Sequence, residues 1–387
     1  IELRQGVKID PQTRTAEEGK LFDIELLQAG TRFPLRFELL IPADKDGEQL
    51  GRDLELALQG FEKAEIGLGA RKRRGLGRCR VERWRVWRYD LNTADGLLDW
   101  LAVDRAWAEP SAGHEAPGKT LAEKLGVSPD TTDRRHRFAI EAQFSLDSSL
   151  LVRSGFGRAD QGPDAEHLHR LRATAAGDNG AEAREPVLPG TSLAGALRAR
   201  ALRIANTLTL DRVRAARLVN GLFGVGPEDQ ETFGAGDEAK HTASRLVVHE
   251  ALIEGAHTLM QTRIRVDRFT GGAMDNYLFT EAPLFGGPDS HLTLTLNLRL
   301  PPPSQDEKEQ GKRQNEHEIG LLLLLLKDLW TGDLPLGGES SVGRGRLCGQ
   351  SADLTYLKDG DRATWTLVRD PAGLDITAFE GTGDAWT

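Results

Sequence analysis

Apolar and polar residues alternate with period two along several stretches of the chain. Within 21–41 the apolar positions are Phe33, Leu35, Phe37, Leu39 and Ile41. Within 292–300 they are Leu292, Leu294, Leu296, Leu298 and Leu300, and within 137–152 Phe138, Ile140, Ala142, Phe144 and Leu146 share one side. Such alternation predicts half-buried strands, and shorter versions predict strands at 79–89 and 346–354, with strand-like pieces around Trp365 and Phe379. Helical spacing appears at 53–62, at 193–208 and at 318–330, where the run 321–326 is all leucine and predicts burial on most sides. Pro189, Gly190, Thr191 and Ser192 open the second of these helices, with Thr191 or Ser192 as its natural N-cap. From 137 onward the order is strand, helix, strand, strand, helix, strand. That is the ferredoxin-like order shared with RNA-recognition folds, in an α+β chain.

The pattern is partly a repeat. Val7, Ile9 and Asp10 match Ile264, Val266 and Asp267, and Leu21 and Phe22 match Leu278 and Phe279, at one constant offset of 257 (267 minus 10). Further on, a loop with Gly67, Gly69, Arg71, Lys72, Arg73, Arg74, Gly75 and Gly77 answers one with Gly337, Gly338, Ser340, Ser341, Gly343, Arg344 and Gly345. Repeats outrank other signals, since missing one misassigns the fold. The reading is of tandem ferredoxin-like (RRM-like) modules. Residues 1–103 form the C-terminal part of a first module, 104–136 a linker rich in Ala, Gly, Pro and charge, 137–355 a second, complete module, and 356–387 an extension. The first copy lacks the stretch that precedes the Val-Asp signature in the second, so the chain reads as truncated at its start.

Charge adds a candidate ligand. The chain of 387 residues has a net charge of −9, which argues against a general electrostatic nucleic-acid binder. Residues 71–88 nevertheless concentrate Arg71, Lys72, Arg73, Arg74, Arg78, Arg80, Arg83, Arg85 and Arg88 against the single acid Glu82. Glycines let backbone amides approach a phosphate, and arginines bind it with forked donors, so the loops predict anion binding. Each loop follows a helix and precedes a strand, the reverse of a Rossmann fingerprint. The two cysteines, Cys79 and Cys348, make neither a disulfide framework nor a four-ligand zinc site, and they fit a reducing cytoplasm. No apolar run is long enough to span a membrane.

The segment 187–198, with Pro189, Gly190, Thr191, Ser192, Leu193, Gly195 and Arg198, resembles the Pro-Gly-Ser/Thr-Ser-Leu-x-Gly turn of the RAMP superfamily. The two glycine loops resemble that superfamily's C-terminal glycine-rich loop. Two modules on one chain look like the fused backbone subunits of type III CRISPR effector complexes. The resemblance implies contacts to guide CRISPR RNA from Gly190, Thr191, Ser192 and Arg198 and from both loops. It implies other complex subunits and a target RNA as partners, and no membrane. It also implies a projecting thumb hairpin in each module, at 9–21 with Asp10 and Thr13 and at 266–278 with Asp267, Arg268 and Thr270.

In many such subunits an aspartate after the first strand cuts target RNA with a divalent metal. Here that loop holds Asp160 and Asp164, and Asp164 is the preferred catalytic and Mg2+-binding residue. One carboxylate can orient hydrated Mg2+ beside a phosphate; it can equally tune in-line attack by the ribose 2′-oxygen. Two other readings are a non-catalytic RNA-binding scaffold and a guide-processing endoribonuclease using His136, His167 or His169.

Overall fold

The computed structural model describes residues 1–10, 13, 15–103, 115–128, 132–154, 162–173, 183–225, 242–301, 308–370 and 376–382. They form two compact units. The larger comprises Ile1–Phe33, Arg73–Gly75 and Asp133–Thr387, the smaller Pro34–Lys72 and Leu76–Thr132. In chain order, a hairpin of β1 (Glu2–Ile9) and β2 (Ala16–Leu26) precedes the smaller unit's helices α1 (Gly47–Glu62), α2 (Ala94–Leu101) and α3 (Leu121–Leu125). The larger unit continues with β3 (Arg137–Leu146), β4 (Ala165–Glu166), β5 (His169–Arg172), β6 (Ala183–Leu188), α4 (Gly190–Thr209) and α5 (Arg212–Phe223). Then come β7 (Leu246–Val248), β8 (Ala251–Thr258), β9 (Gln261–Val266), β10 (Ala273–Ala282), β11 (Leu284–Arg299), α6 (Lys308–Trp330), β12 (Leu347–Lys358), β13 (Asp361–Arg369) and β14 (Ile376–Thr382).

The main sheet runs β14-β13-β12-β3-β11-β8-β6-β5, with β7 also on β11. Counting β3, β8, β11 and β12 as the module's four strands, their spatial order is fourth, first, third, second, in the ferredoxin-like manner. β3 is the middle of this ladder. Phe138, Ile140, Ala142 and Phe144 stand opposite Leu298, Leu296, Leu294 and Leu292 of β11 on one edge, and β12 pairs along the other. Every one of these apolar side chains is buried. They share a core with Leu193, Leu197, Ala201 and Ala205 of α4 and with Leu322, Leu325, Leu326 and Leu329 of α6. Leu324, in the same leucine run, is 41% exposed. Leu321, Leu322, Leu325 and Leu326 are buried and Leu323 is half-buried, so the run is buried on most sides, as expected, and Leu324 marks the outward face.

α4 starts three residues earlier than expected. Its N-cap is Pro189, with no side-chain hydrogen bond, so Thr191 and Ser192 sit inside the first turn and do not cap it. β13 and β14 extend the main sheet beyond β12.

The smaller unit has a modest core. α1 is capped by Asp46, whose carboxylate accepts from the amides of Glu48 (2.9 Å) and Gln49 (3.2 Å). It buries Leu58 and Phe61 against Leu121 of α3, with Cys79, Val81, Trp84 and Val86 half-buried around them. Of the strand expected at 21–41 only 21–26 forms, as the end of β2, and 33–41 does not; the strand expected at 79–89 does not form either. Residues 33–41 join no ladder and are exposed throughout; 79–89 makes one isolated bridge, Trp87 with Glu115.

Candidate nucleic-acid interface

The two hairpins agree pair by pair. In β1–β2, Ile9 stands opposite Ala16, Val7 opposite Leu21 and Gly6 opposite Phe22. In β9–β10, Val266 stands opposite Ala273, Ile264 opposite Leu278 and Arg263 opposite Phe279, at the same offset and with the irregularity in the same place. At each tip an aspartate carboxylate closes the turn. Asp10 accepts from the Thr13 amide (2.7 Å), and Asp267 from the amides of Phe269 and Thr270 (both 2.8 Å). These backbone bonds hold the Asp267 carboxyl below the usual carboxylate range. Arg268 and Thr270 are exposed, and Phe269 is 95% exposed. Asp10 and Asp267 thus shape the tips, as side chains that bond their own backbone do.

The glycine loops also agree residue by residue, at an offset of 268 (345 minus 77). Gly69, Arg71, Gly75 and Gly77 have positive φ, as do Gly337, Glu339, Gly343 and Gly345. Lys72–Arg74 and Ser340–Val342 each form one turn of 3-10 helix. The Leu68 amide donates to the Gly77 carbonyl (2.8 Å) and the Leu336 amide to the Gly345 carbonyl (2.9 Å). A Cβ on Gly77 would collide with the Leu68 carbonyl, and one on Gly345 with that of Leu336. Glycine is demanded here by close approach as well as by φ.

The loops differ in their surroundings. Within the larger unit, Arg73–Gly75 lies against the start of α4. A Cβ on Gly190 would strike the carbonyls of Arg74 and Val248, and one on Gly75 the Glu250 amide. Arg74 donates through Nη2 to the Phe223 carbonyl at 3.5 Å, while its buried Nη1 has no hydrogen-bond partner. Burial lowers the Arg74 pKa, and the charges of Arg198 and Arg73 lower it further. Burial lowers Arg73 too, with Arg299 adding to it. Arg74 thus stands near Arg198 and Arg73, beside a helix N-terminus that carries partial positive charge and no side-chain cap, a setting that favours an anion. Arg198 is steadied by Asn220, its Nη2 donating to Oδ1 at 3.0 Å. Thr191 is exposed and Ser192 half-buried at the same helix end. Arg71, Lys72 and Gly77 belong to the smaller unit and are exposed.

In the second loop Ser340 and Ser341 are exposed, and nothing lies within van der Waals reach of a Cβ on Gly343. Gly338 donates its amide to the Leu151 carbonyl (2.8 Å). Arg344 departs from expectation. It is 3% exposed, its Nη2 donating to Gln261 (3.0 Å) and Glu281 (2.9 Å), with Glu339 at 3.1 Å from Nε. Its charge serves the chain's own carboxylates, so it ties the loop to the base of β9–β10 instead of facing a phosphate. Burial raises Glu281, helped by the adjoining Glu339; Glu339, against the effect of burial, is held down by Glu281, Arg344, Arg263 and Arg153. Sequence reasoning missed Glu281 and Glu339. The available signal was an acid placed next to Ala282 in an otherwise apolar strand end.

Asp164 is exposed and accepts from the Thr280 amide through Oδ2 (2.7 Å), one residue from where β4 meets β10 at Glu281. The site candidate therefore sits at the base of the second hairpin. Asp160 lies outside the described residues. Among the described residues no three His, Cys, Asp or Glu side chains converge to hold an ion. Asp164 by itself fits only a cation held mainly by water and phosphate.

The histidines do not assemble an acid–base pair. His167 is fully buried, its Nδ1 accepting from the Val152 amide (3.2 Å) and Nε2 donating to the Val187 carbonyl (3.0 Å). Burial lowers its pKa to about 4, so it is neutral and structural. Burial also lowers His169, whose Nδ1 is 2.8 Å from the His167 carbonyl. His136 pairs with Asp359 (2.7 Å) at the other end of β3. Cys79 and Cys348 are free thiols.

The chain thus combines a ferredoxin-like sheet, a Pro-Gly helix start and a glycine loop in one α+β architecture. The sequence model of the RAMP superfamily matches residues 1–80 and 174–348, and the chain belongs to that superfamily. Its members are in general CRISPR-associated RNA-binding proteins. No curated protein sequence matches the chain significantly. No described helix is long and apolar enough to cross a membrane.

Proposed function

We propose that the chain is a guide-RNA-binding backbone subunit of a type III CRISPR complex, carries two RAMP modules, and cleaves target RNA beside its second thumb. The observation that carries this reading is the doubled assembly of hairpin and glycine loop, whose register and backbone agree position by position. Guide phosphates lie at the start of α4, on the amides of Gly190, Thr191 and Ser192 and beside Arg74, Arg73 and Arg198. The two hairpins act as thumbs that interrupt the guide–target duplex. Asp164, fixed by the Thr280 amide, faces the target phosphate at the base of the second thumb. Asp164 would hold a hydrated Mg2+, which would supply charge stabilisation at the phosphate. Asp164 in turn sets the in-line geometry of the attacking 2′-oxygen.

The test is target-RNA cutting by the assembled, guide-loaded complex with Asp164→Ala or Asp160→Ala, in Mg2+ and in chelator. Loss of one cut with target still bound supports the nuclease reading and says which acid serves it. Unchanged cutting in both variants leaves the chain as an RNA scaffold. For guide binding, Arg74→Ala should weaken affinity and flatten the log Kd against log salt slope by about 0.7 to 1. An unchanged slope removes Arg74 from the phosphate track.

A further inference from the structure

An ion cluster lies around the second glycine loop. Glu281, near the end of β10, is buried, and its Oε2 accepts from Arg344 Nη2 (2.9 Å), with Arg263 Nε at 3.4 Å. Arg344 Nη2 also donates to Gln261 (3.0 Å), and Arg344 Nε lies 3.1 Å from Glu339. Glu339 reaches two further arginines, Arg263 at 3.6 Å and Arg153 at 3.4 Å. At the offsets of the repeat (281 minus 24 for the hairpins, 344 minus 76 for the loops), Gln261, Arg263, Glu281, Glu339 and Arg344 correspond to Arg4, Gly6, Ile24, Arg71 and Leu76. The first copy therefore has neither of the two carboxylates.

The cluster encloses the strand that Asp164 leads into, because 165–168 runs between two neighbours. On one side Ala165 and Glu166 pair with Glu281 and Ala282, and the His167 amide donates to the Ala282 carbonyl (3.1 Å). On the other side Arg153 bridges His167, and the Ser154 amide donates to the Glu166 carbonyl (3.0 Å). Arg344 holds the first neighbour through Glu281, and Glu339 holds the second through Arg153. The loop that carries both is itself bound to the second neighbour's chain. Gly338 donates its amide to the Leu151 carbonyl and Gly345 to the Ser149 carbonyl, both at 2.8 Å. Asp164 stands at the entry to the clamped strand and accepts from the amide of Thr280, the residue before Glu281.

We infer that Glu281, Glu339 and Arg344 are positioning residues for Asp164: they clamp the two strands that flank its own and so fix where its carboxylate meets the target RNA. The inference rests on the nuclease reading of Asp164 given above. Stability alone does not account for the cluster. Buried ions lose their water on folding, and apolar side chains of similar volume often hold a structure equally well. The first copy has Leu76 and Ile24 at the places of Arg344 and Glu281. What the ions add is direction. A guanidinium fork fixes angle as well as distance, whereas apolar attraction has no preferred direction. A displacement of about 1 Å can cost on the order of 10²-fold in rate, so a clamp of this kind acts on chemistry before it acts on folding. Arg344 and Glu281 are buried and act through Asp164, with no contact to RNA of their own. Since the carboxylates belong to the second copy, the effect is confined to the cut at the second thumb.

The test gives the second copy the first copy's residues, Arg344→Leu together with Glu281→Ile, in the assembled, guide-loaded complex. Target Kd and the urea midpoint of the full chain should stay at the wild-type values. Single-turnover cutting at the second thumb should fall by about 10²-fold, and amide exchange at Thr280 in the full chain should quicken by about ten-fold. Arg344→Lys keeps the charge and loses the fork. It should lose less, and it decides the matter if the double variant does not fold. Wild-type cutting in the double variant, or in Arg344→Lys where only that variant folds, overturns the inference. Unchanged exchange at Thr280 overturns it too, as does a fall in cutting that a weaker target Kd accounts for. Asp164→Ala is run alongside. A normal cut there removes the nuclease reading and the inference with it, whereas a lost cut there with a normal cut in the double variant removes the clamp alone.

Discussion

The loops at 68–78 and 336–346 share a backbone, and the stretches around them do not. Positive φ falls at the same places, and the same amide–carbonyl bond closes each loop. These features depend on residues fewer than ten positions apart. The alternating stretches behave differently. Around the second loop they form β11 and β12, buried on either side of β3. Around the first they form no ladder. A turn carries its determinants locally, whereas a strand borrows half of its stabilisation from a neighbour. Equal sequence patterns therefore give equal loops everywhere and equal strands only where the partner is present.

The largest test of this contrast compares two phenylalanines in matching alternation. Phe144 is fully buried and meets the Trp330 ring edge-on at 6.1 Å. Phe144→Ala should cost about 3–5 kcal/mol, read from the urea midpoint of the larger unit. Phe37 is 46% exposed, with only a tilted contact to Phe61 at 6.3 Å. Phe37→Ala should cost less than about 0.5 kcal/mol. Comparable losses would show that the stretch at 33–41 is already packed, and would remove the contrast.

The glycines come next. Gly345→Ala forces a side chain onto the Leu336 carbonyl at positive φ, just before β12 enters the main sheet. A loss of about 2–4 kcal/mol is expected. Gly77→Ala meets the same obstacle at the Leu68 carbonyl. The strain is equal, but no ladder depends on that loop, so the smaller unit should exchange faster while the larger unit's midpoint moves little. If Gly77→Ala lowers the larger unit's midpoint as far as Gly345→Ala does, the two loops are not locally autonomous. Gly271→Ala is the control, since its φ is positive but no atom lies near its Cβ.

Much of this was legible in the chain, for the same reason. The hairpin tips, the glycine loops and the order of elements from β3 to β12 depend on short-range chemistry or strong periodicity, and Asp10, Gly75 and Leu292 announce them. α4 starts one turn before the position its sequence suggests, because Thr191 and Ser192 have the chemistry of caps while Pro189 ends the extended stretch and takes the N-cap place itself. The sequence suggests Arg344 as an RNA-binding residue of its loop. Its burial depends on Glu281 and Gln261, some 60 to 80 residues away in sequence, and no local pattern encodes such a pairing. The first copy has Leu76 at the matching position and lacks the network altogether. The arginine cluster at α4 was half legible. Arg73 and Arg74 stand out by residue type in a Gly-rich loop and Arg198 by the resemblance of its segment, but the meeting of a loop tip with a helix start is tertiary.

A smaller effect separates the larger unit by pH. His167 is buried and neutral, with its pKa lowered to about 4 from 6.5. Below pH 6.5 the unfolded chain takes up a proton that the folded chain refuses until pH 4. Unfolding therefore binds protons, and stability falls as pH drops through that window, by at most about 3 kcal/mol. His167→Gln should be less stable at neutral pH, having disturbed the bonds to Val152 and Val187, yet show a flatter dependence between pH 6.5 and 4. Urea midpoints at five pH values decide it; an unchanged slope would assign the acid sensitivity elsewhere. The smaller unit has no histidine among its described residues, so its exchange rates should lack this inflection.

The smallest test returns to the hairpin tips, where the two copies should respond alike. Asp10→Ala and Asp267→Ala each remove a carboxylate that accepts from the amide three residues on, Thr13 in one tip and Thr270 in the other. Both tips project into solvent, so neither change should move the thermal midpoint measurably. Amide exchange at Thr13 and Thr270 should quicken in its own variant, and by similar factors, because the turns are built from the same bonds. Lowering the pH should mimic the Asp267 variant once the carboxyl protonates, below the ordinary aspartate range because the Phe269 and Thr270 amides favour the charged form. If one tip responds and the other does not, the hairpins are alike in register alone, and a shared thumb role would then have to rest on their bases, where Arg344 binds one and Arg4 holds Glu250 beside the other.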